Sequence, residues 1–335
     1  MKQRNWRLYA FLVLSVIAVL VTAVLSVFLG STDISWQTVL QALFAPDMSS
    51  HQQIAVVDLR LPRTLGDILV GAGLAVSGAI MQGVTRNPLA DSGLLGINAG
   101  VSFALALCLA FLTHVSFGFT ILASFAGAAV SMLAVFGILL LRHRNLDSAR
   151  LVLAGLAVSL FLTALTQGIA ILTSTGQSLT FWTAGGVAGI RMEQLRVAAP
   201  VMILALAGSV LLSSKLSILS LGDEAAQGLG LDLNRTKSAA LILVLLLSGS
   251  AVALAGPVSF VGLLVPHVVR HVVGSTYQAI IPASMTAGSV FMLVADLVSR
   301  TVNAPAETPV GLIFAVIGVP VFIAISRRGI RHEEV

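Results

Sequence analysis

Apolar residues dominate this chain in long unbroken runs that recur from one end to the other. Ten runs are visible, at about 8–29, 64–83, 94–112, 118–141, 151–173, 197–213, 237–255, 258–273, 279–299 and 309–326. A helix of about 18 or more apolar residues crosses about 30 Å of hydrocarbon and satisfies its own backbone hydrogen bonds there. The strict alternation over about ten residues that marks a membrane-spanning strand is absent. The pattern predicts an all-α integral membrane protein of ten transmembrane helices, forming a single transmembrane domain over 1–335. The first run follows a charged start, as a signal peptide does. Its apolar stretch from Leu8 to Leu29 exceeds a typical signal core and lacks a small-residue cleavage pattern, so it reads as a retained span.

Three stretches between the runs have patterns of their own. In the outer segment 31–62, Trp36, Val39, Leu40, Leu43 and Phe44 recur at helical spacing, which predicts a short amphipathic helix lying at the membrane surface. Residues 173–195 carry Phe181 and Trp182, either as interface anchors or as packed loop residues. In the loop 214–236, Leu221-Gly222-Asp223-Glu224-Ala225-Ala226-Gln227-Gly228-Leu229-Gly230 reads as a short helix between glycine turns. Asp223 and Glu224 sit at its positive end, and Gly228 or Gly230 stops it. A helix this short is not stable alone, so it either docks on something or is a transient turn in a solvated loop.

Composition fixes the class. Charged residues make up 10% of the chain and hydrophobic ones 57%, against about 25% charged in a soluble domain. The net charge of +5 does not imply nucleic acid, because the bases lie at the ends of apolar runs and not on one face. With the N-terminus inside, fourteen of the nineteen Lys and Arg residues fall on the inner side, Arg86, Arg142, Arg144, Arg235 and Lys237 among them. Arg60, Arg63, Arg191, Arg196 and Arg300 fall outside, so both termini are expected in the cytoplasm. Cys108, the single cysteine, lies within an apolar run as a small packing residue.

Catalytic chemistry is not visible. The chain has no Gly-x-x-x-x-Gly-Lys-Ser/Thr phosphate loop and no His-Glu-x-x-His zinc motif, and nothing pairs a nucleophile with a base. His267 has no second ligand nearby in sequence and reads as structural. No metal or cofactor is expected on this chain. An ion-coupled secondary transporter is disfavoured because the spans are nearly uncharged, with Asp67 and Asp296 toward outer ends. Gly71, Gly73, Ser77 and Gly78 place small residues on one helix and let a second helix approach; the reading taken is packing within the chain. Asn87-Pro88 reads as a structural turn, with contact to an inner partner open. Glu307 reads as a helix-start cap. Arg60 and Arg63 are open between headgroup anchoring and contact with a partner, and Arg300 between a partner and a pair with Asp296 one helical turn earlier.

From Arg60 to Arg328 the chain resembles the permeases of binding-protein-dependent ABC importers for ferric siderophores, haem and vitamin B12. The resemblance rests on Arg60-Leu61-Pro62-Arg63, Gly71-Ala72-Gly73-Leu74-Ala75-Val76-Ser77-Gly78, Gln82 with Asn87-Pro88-Leu89-Ala90, and Leu95-Gly96. It continues through Leu221–Gly230, Phe260-Val261-Gly262-Leu263, Val265-Pro266-His267 and Glu307-Thr308-Pro309-Val310-Gly311. Ser92 departs from it, standing where members often have proline, and the stretch around Trp182, Gly185 and Gly186 matches only loosely. The resemblance implies a vitamin B12-importer-like fold of ten spans in a bacterial inner membrane. It further implies a second permease, alike or related, two ATPase subunits on which ATP and magnesium act, and an outer substrate-binding protein. Leu221–Gly230 then corresponds to the segment that couples to the ATPase. Arg60, Arg63 and Arg300 correspond to arginines that meet glutamates of the binding protein. The expected cargo is a ferric siderophore, with haem or cobalamin as alternatives.

Overall fold

The computed structural model describes all residues except 1, 31, 33, 46, 48, 113–115, 141–147, 184–185, 305 and 334–335. Arg142, Arg144 and Gly185 lie outside the described residues, and so does the side chain of Phe181. Each apolar run becomes one long helix: α1 (Lys2–Phe28), α4 (Leu61–Thr85), α5 (Ile97–Phe111), α6 (Phe117–Leu140), α7 (Ser148–Leu172), α9 (Met192–Leu219), α11 (Leu233–Ala255), α12 (Val261–Val273), α13 (Tyr277–Thr301) and α14 (Val310–Glu333). Short helices lie between them: α2 (Trp36–Phe44), α3 (His51–Ile54), α8 (Gly176–Thr183) and α10 (Asp223–Gly228). Among the described residues, seven helical stretches are long and apolar enough to cross a membrane by length and composition, and three apolar helices are shorter.

The middle of the bundle is α4, which packs against α13, α11, α12 and α9. Its small residues set that position. Gly71 lies against the backbone of Gly288 on α13, and Gly78 against the backbone of Gly262 on α12, so a methyl group at either would collide with main-chain atoms that cannot yield. Gly73 faces Met202 of α9, and the Ser77 hydroxyl accepts a hydrogen bond from Ser248 of α11 at 2.8 Å. These four small residues therefore pack within the chain.

Sequence and structure differ in where two elements begin. The second span is not preceded by a surface loop: a continuous helical path runs from His51 to Thr85. Its residues Ala55–Arg60 form a π-helical turn in which the Leu61 N–H reaches back five residues to Val56 O. That wider turn sits directly before Pro62, which has no N–H to give to an ordinary helical ladder. The predicted surface helix at Trp36–Phe44 is present, with Val39 and Ala42 buried and Trp36 and Phe44 exposed. α12 is 13 residues long, about 20 Å, shorter than a hydrocarbon core. It starts inside the bundle, where the Gln82 side-chain amide donates to the carbonyls of Gly262 and Leu263 at 3.4 and 3.3 Å.

Candidate functional site

Two ends of the bundle are defined by α4, whose 25 residues span about 37 Å from Arg63 near its start to Arg86 just past its end. The Arg63 end holds a buried charge cluster. Arg63 donates through Nε and Nη2 to Asp296 of α13, at 3.0 and 2.7 Å, and through Nη1 to Glu307 at 2.9 Å. Arg300 reaches the same Asp296 at 2.7 Å and gives further hydrogen bonds to Ser26 O and Ser26 Oγ at the end of α1. Asp296 is fully buried and Arg300 is 2% exposed. Arg60 is folded onto the carbonyls of Val27, Phe28 and Thr32, which α1 and the following turn leave open. Asp67, one turn after Arg63, is fully buried beside Asp296, and neither of its carboxyl oxygens has a hydrogen-bond donor.

In this chain on its own, Arg60, Arg63 and Arg300 are engaged internally. Their guanidinium groups are turned into the bundle and bonded to this chain's own carboxylates and carbonyls. The alternative pairing of Arg300 with Asp296 is the one observed. Of the arginines assigned to this side, Arg191 and Arg196 are exposed. Glu307 is not simply a cap: it precedes α14 and closes the charge cluster on Arg63.

Two recesses open nearby. The first, about 690 Å³, is walled by Arg63, Glu307, Trp182, Gln194 and the backbone around Gly186 and Gly256. Trp182 is thus turned inward, and it packs on the small cluster of Leu105, Ala106 and Leu179. The second, about 620 Å³, is lined mostly by apolar atoms but gathers a set of polar side chains: Asn98 and Ser102 of α5, Ser159, Thr163, Thr166 and Gln167 of α7, and Thr180 of α8. The α7 residues fall on one face of the helix, at spacings of three and four. Thr163 and Gln167 are exposed on this chain. A primary amide turned to hydrocarbon loses its hydrogen bonds at a cost of several kcal/mol. That face of α7 therefore suits water or a polar partner better than lipid.

At the opposite end, α10 runs from Asp223 to Gly228 between Gly222 and Gly230, both at positive φ (+113° and +79°). Ala226 is buried, while Glu224 and Ala225 are exposed. Leu221 and Leu229 stand out at 65% and 64% exposure. Asp223 points the other way. Its Oδ2 accepts from Lys237 Nζ of α11 at 2.7 Å, and its Oδ1 lies 3.7 Å from Arg86. The sequence reading counted Lys237 and Arg86 only as topology charges. The sign that Lys237 does more is its place in the first turns of an apolar span, where an unpaired ammonium is costly. Beside Arg86, the Asn87 side chain accepts from the Leu89 N–H at 2.9 Å and holds the Asn87-Pro88 turn. Asp91 closes this turn, half-buried. Burial pushes its carboxyl above the usual 3.8, opposed by hydrogen bonds from the Ser92 and Gly93 N–H groups.

A bundle built this way, membrane-spanning and with a short exposed helix at one end, agrees with what comparison with known proteins finds. A model of the FecCD transport family matches residues 17–328. The chain belongs to that family. Relatives with FecCD-type sequences include the iron(3+)-hydroxamate import system permease protein FhuB of Bacillus subtilis (strain 168), 43% identical over 91% of this chain and 80% of the relative. The ferric enterobactin transport system permease protein FepD of Escherichia coli (strain K12) is 38% identical over 93% of each. Among solved structures, an inward-facing conformation of a metal-chelate type ABC transporter superposes with a TM-score of 0.83 at 29% identity, covering 95% of this chain and 98% of that one. As a FecCD-family member, the chain is a multi-pass membrane protein.

Proposed function

We propose that this chain is the permease subunit of a binding-protein-dependent ABC importer, in a bacterial inner membrane, that carries a ferric siderophore into the cytoplasm. The observation that carries this reading is the FecCD match over residues 17–328, with relatives named for ferric hydroxamate and ferric enterobactin import. In this reading the ten long helices are the ten spans, and the preponderance of Lys and Arg on the α10 side sets both termini in the cytoplasm. ATP and magnesium act in two separate ATPase subunits, which dock on α10 through Leu221, Glu224 and Leu229. The polar face of α7 lines the cargo pathway, closed by a second permease of the same or related sequence. An outer binding protein delivers the chelate, and access switches sides as the two permeases tilt.

The test is uptake. Cells lacking the gene are offered labelled iron on a panel of siderophores and as haem, beside labelled cobalamin. Loss of one ferric siderophore, restored by the intact gene only when its ATPase is present, is the expected result. A selective loss of cobalamin or haem would keep the importer class and reassign the cargo. Unchanged uptake of all three would refute the proposal.

A further inference from the structure

α10 is six residues long, too short to hold its own shape. Its placement therefore depends on what ties it to the bundle, and on its own residues the structure offers two ties: the buried methyl of Ala226 and the carboxylate of Asp223. The carboxylate is aimed inward by Gly222, whose φ of +113° no L side chain adopts without strain. Lys237, which it meets, is 6% exposed, and Asp223 is the one carboxylate with which the structure pairs it among the described residues. On the other side stands Arg86. It ends α4 at φ 52°, a left-handed conformation where glycine is the usual residue because a side chain crowds the backbone. Its guanidinium extends over Gly222 toward Asp223.

We propose that Asp223 is a positioning residue for energy coupling: it does not touch the ATPase, but fastens α10 to the start of α11 through Lys237 and to the end of α4 through Arg86. The inference rests on the reading that α10 is where the ATPase docks. It divides the segment in two. Leu221, Glu224 and Leu229 face the partner, while Asp223 faces the bundle. A push on the outer residues is then delivered rigidly to the first turns of α11 and to α4 at the centre, a helix to which α10 has no direct chain connection. Without the clamp, the push would reach the bundle only through the Ala226 methyl and the short chain connections to α9 and α11.

Charge exchange separates this role from direct contact. The complete assembly of permease, ATPases and binding protein is reconstituted in lipid vesicles, and ferric chelate transported per ATP hydrolysed is measured. Asp223→Lys and Lys237→Asp singly are each expected to lower that ratio about tenfold, a common size for a coupling between sites. The exchanged pair Asp223→Lys/Lys237→Asp, made together with Arg86→Glu so that the new lysine again lies between two opposite charges, is expected to restore it to within about twofold. Glu224→Lys, a contact residue, is not rescued by Lys237→Asp. If the exchanged pair is no better than Asp223→Lys alone while melting as the wild type does, Asp223 acts on the partner directly and the proposal is overturned. If the exchanged pair does not fold, Asp223→Glu against Asp223→Asn decides. Coupling kept by Glu and lost in Asn supports the clamp, and loss in both overturns it. A wild-type assembly that binds no ATPase at all would refute the docking reading and this inference with it.

Discussion

Asp296 serves two arginines, and its loss should be costly in a way that can be worked out. In the folded chain it is fully buried, with Arg63 at 2.7 Å and Arg300 at 2.7 Å. Asp296→Asn keeps the shape and one carbonyl acceptor but removes the charge. Arg63 then retains Glu307, which is one-third exposed, and Arg300 retains hydrogen bonds to the neutral oxygens of Ser26 and Leu29, with the Asp67 carboxylate nearby but not bonded to it. Charge-assisted hydrogen bonds contribute about 1.5–3 kcal/mol each, and stranding a buried charge costs about 3–5 kcal/mol. With two arginines affected and one of them still partly compensated, the expected destabilisation is about 3–5 kcal/mol. Equilibrium unfolding of the purified protein in mild detergent, followed by tryptophan fluorescence, measures it. The companion variant Asp296→Leu/Arg300→Leu should be more stable than Asp296→Leu alone, because no second cation is left unpaired. Asp296→Asn within about 1 kcal/mol of wild type would refute the reasoning, since that is the range of an exposed pair.

Gly78→Val should destabilise by about 3 kcal/mol or more, beyond ordinary overpacking, because the new atoms meet the backbone of Gly262 and not a side chain that can rotate away; a thermal melt near wild type would refute it. Leu221→Asp with Leu229→Asp should leave stability within about 0.5 kcal/mol, as expected at exposed positions, yet abolish co-purification of the ATPase. Asp91 gives a pH dependence. Its folded carboxyl binds its proton above the usual 3.8, so the folded state holds more protons than the unfolded one and stability falls as pH rises through that window. Asp91→Asn should remove this slope, which melting curves across the acid to neutral range will read; parallel curves for the two proteins would contradict it.

Much of the fold was legible because its signal is local. An apolar run long enough to cross a bilayer announces a helix wherever it packs, and each of the ten runs lies on one. The α10 segment was legible for the same reason: two glycines and two acids within ten residues set its ends. The charge cluster was not legible, because its bonds join residues 233 and 244 positions apart. Sequence spacing assigns Arg63 to the membrane surface, and only the approach of α13 to α4 turns it inward. Where α12 starts was hidden too, because an apolar run does not tell whether its first turns lie at the surface or against the middle of another helix. The identity of that neighbour, Gly78, is fixed by a contact across 184 residues of chain.

The same cluster bears on how the protein is made. A charge entering the bilayer within a single helix costs about 2.5–3.5 kcal/mol, and each span must first be inserted before it can find its neighbours. On α4, Arg63 is followed four residues later by Asp67, and on α13, Asp296 is followed four residues later by Arg300. That spacing stacks the two side chains on one helix face. Each span thus carries its own counter-charge through the insertion machinery and is near neutral on arrival. When α4 and α13 meet, Asp296 takes both arginines, and Asp67 is left without a donor. Its position in the finished molecule is that of an escort whose charge has been handed on, so its value should be read in membrane insertion yield and not in the stability of the assembled bundle.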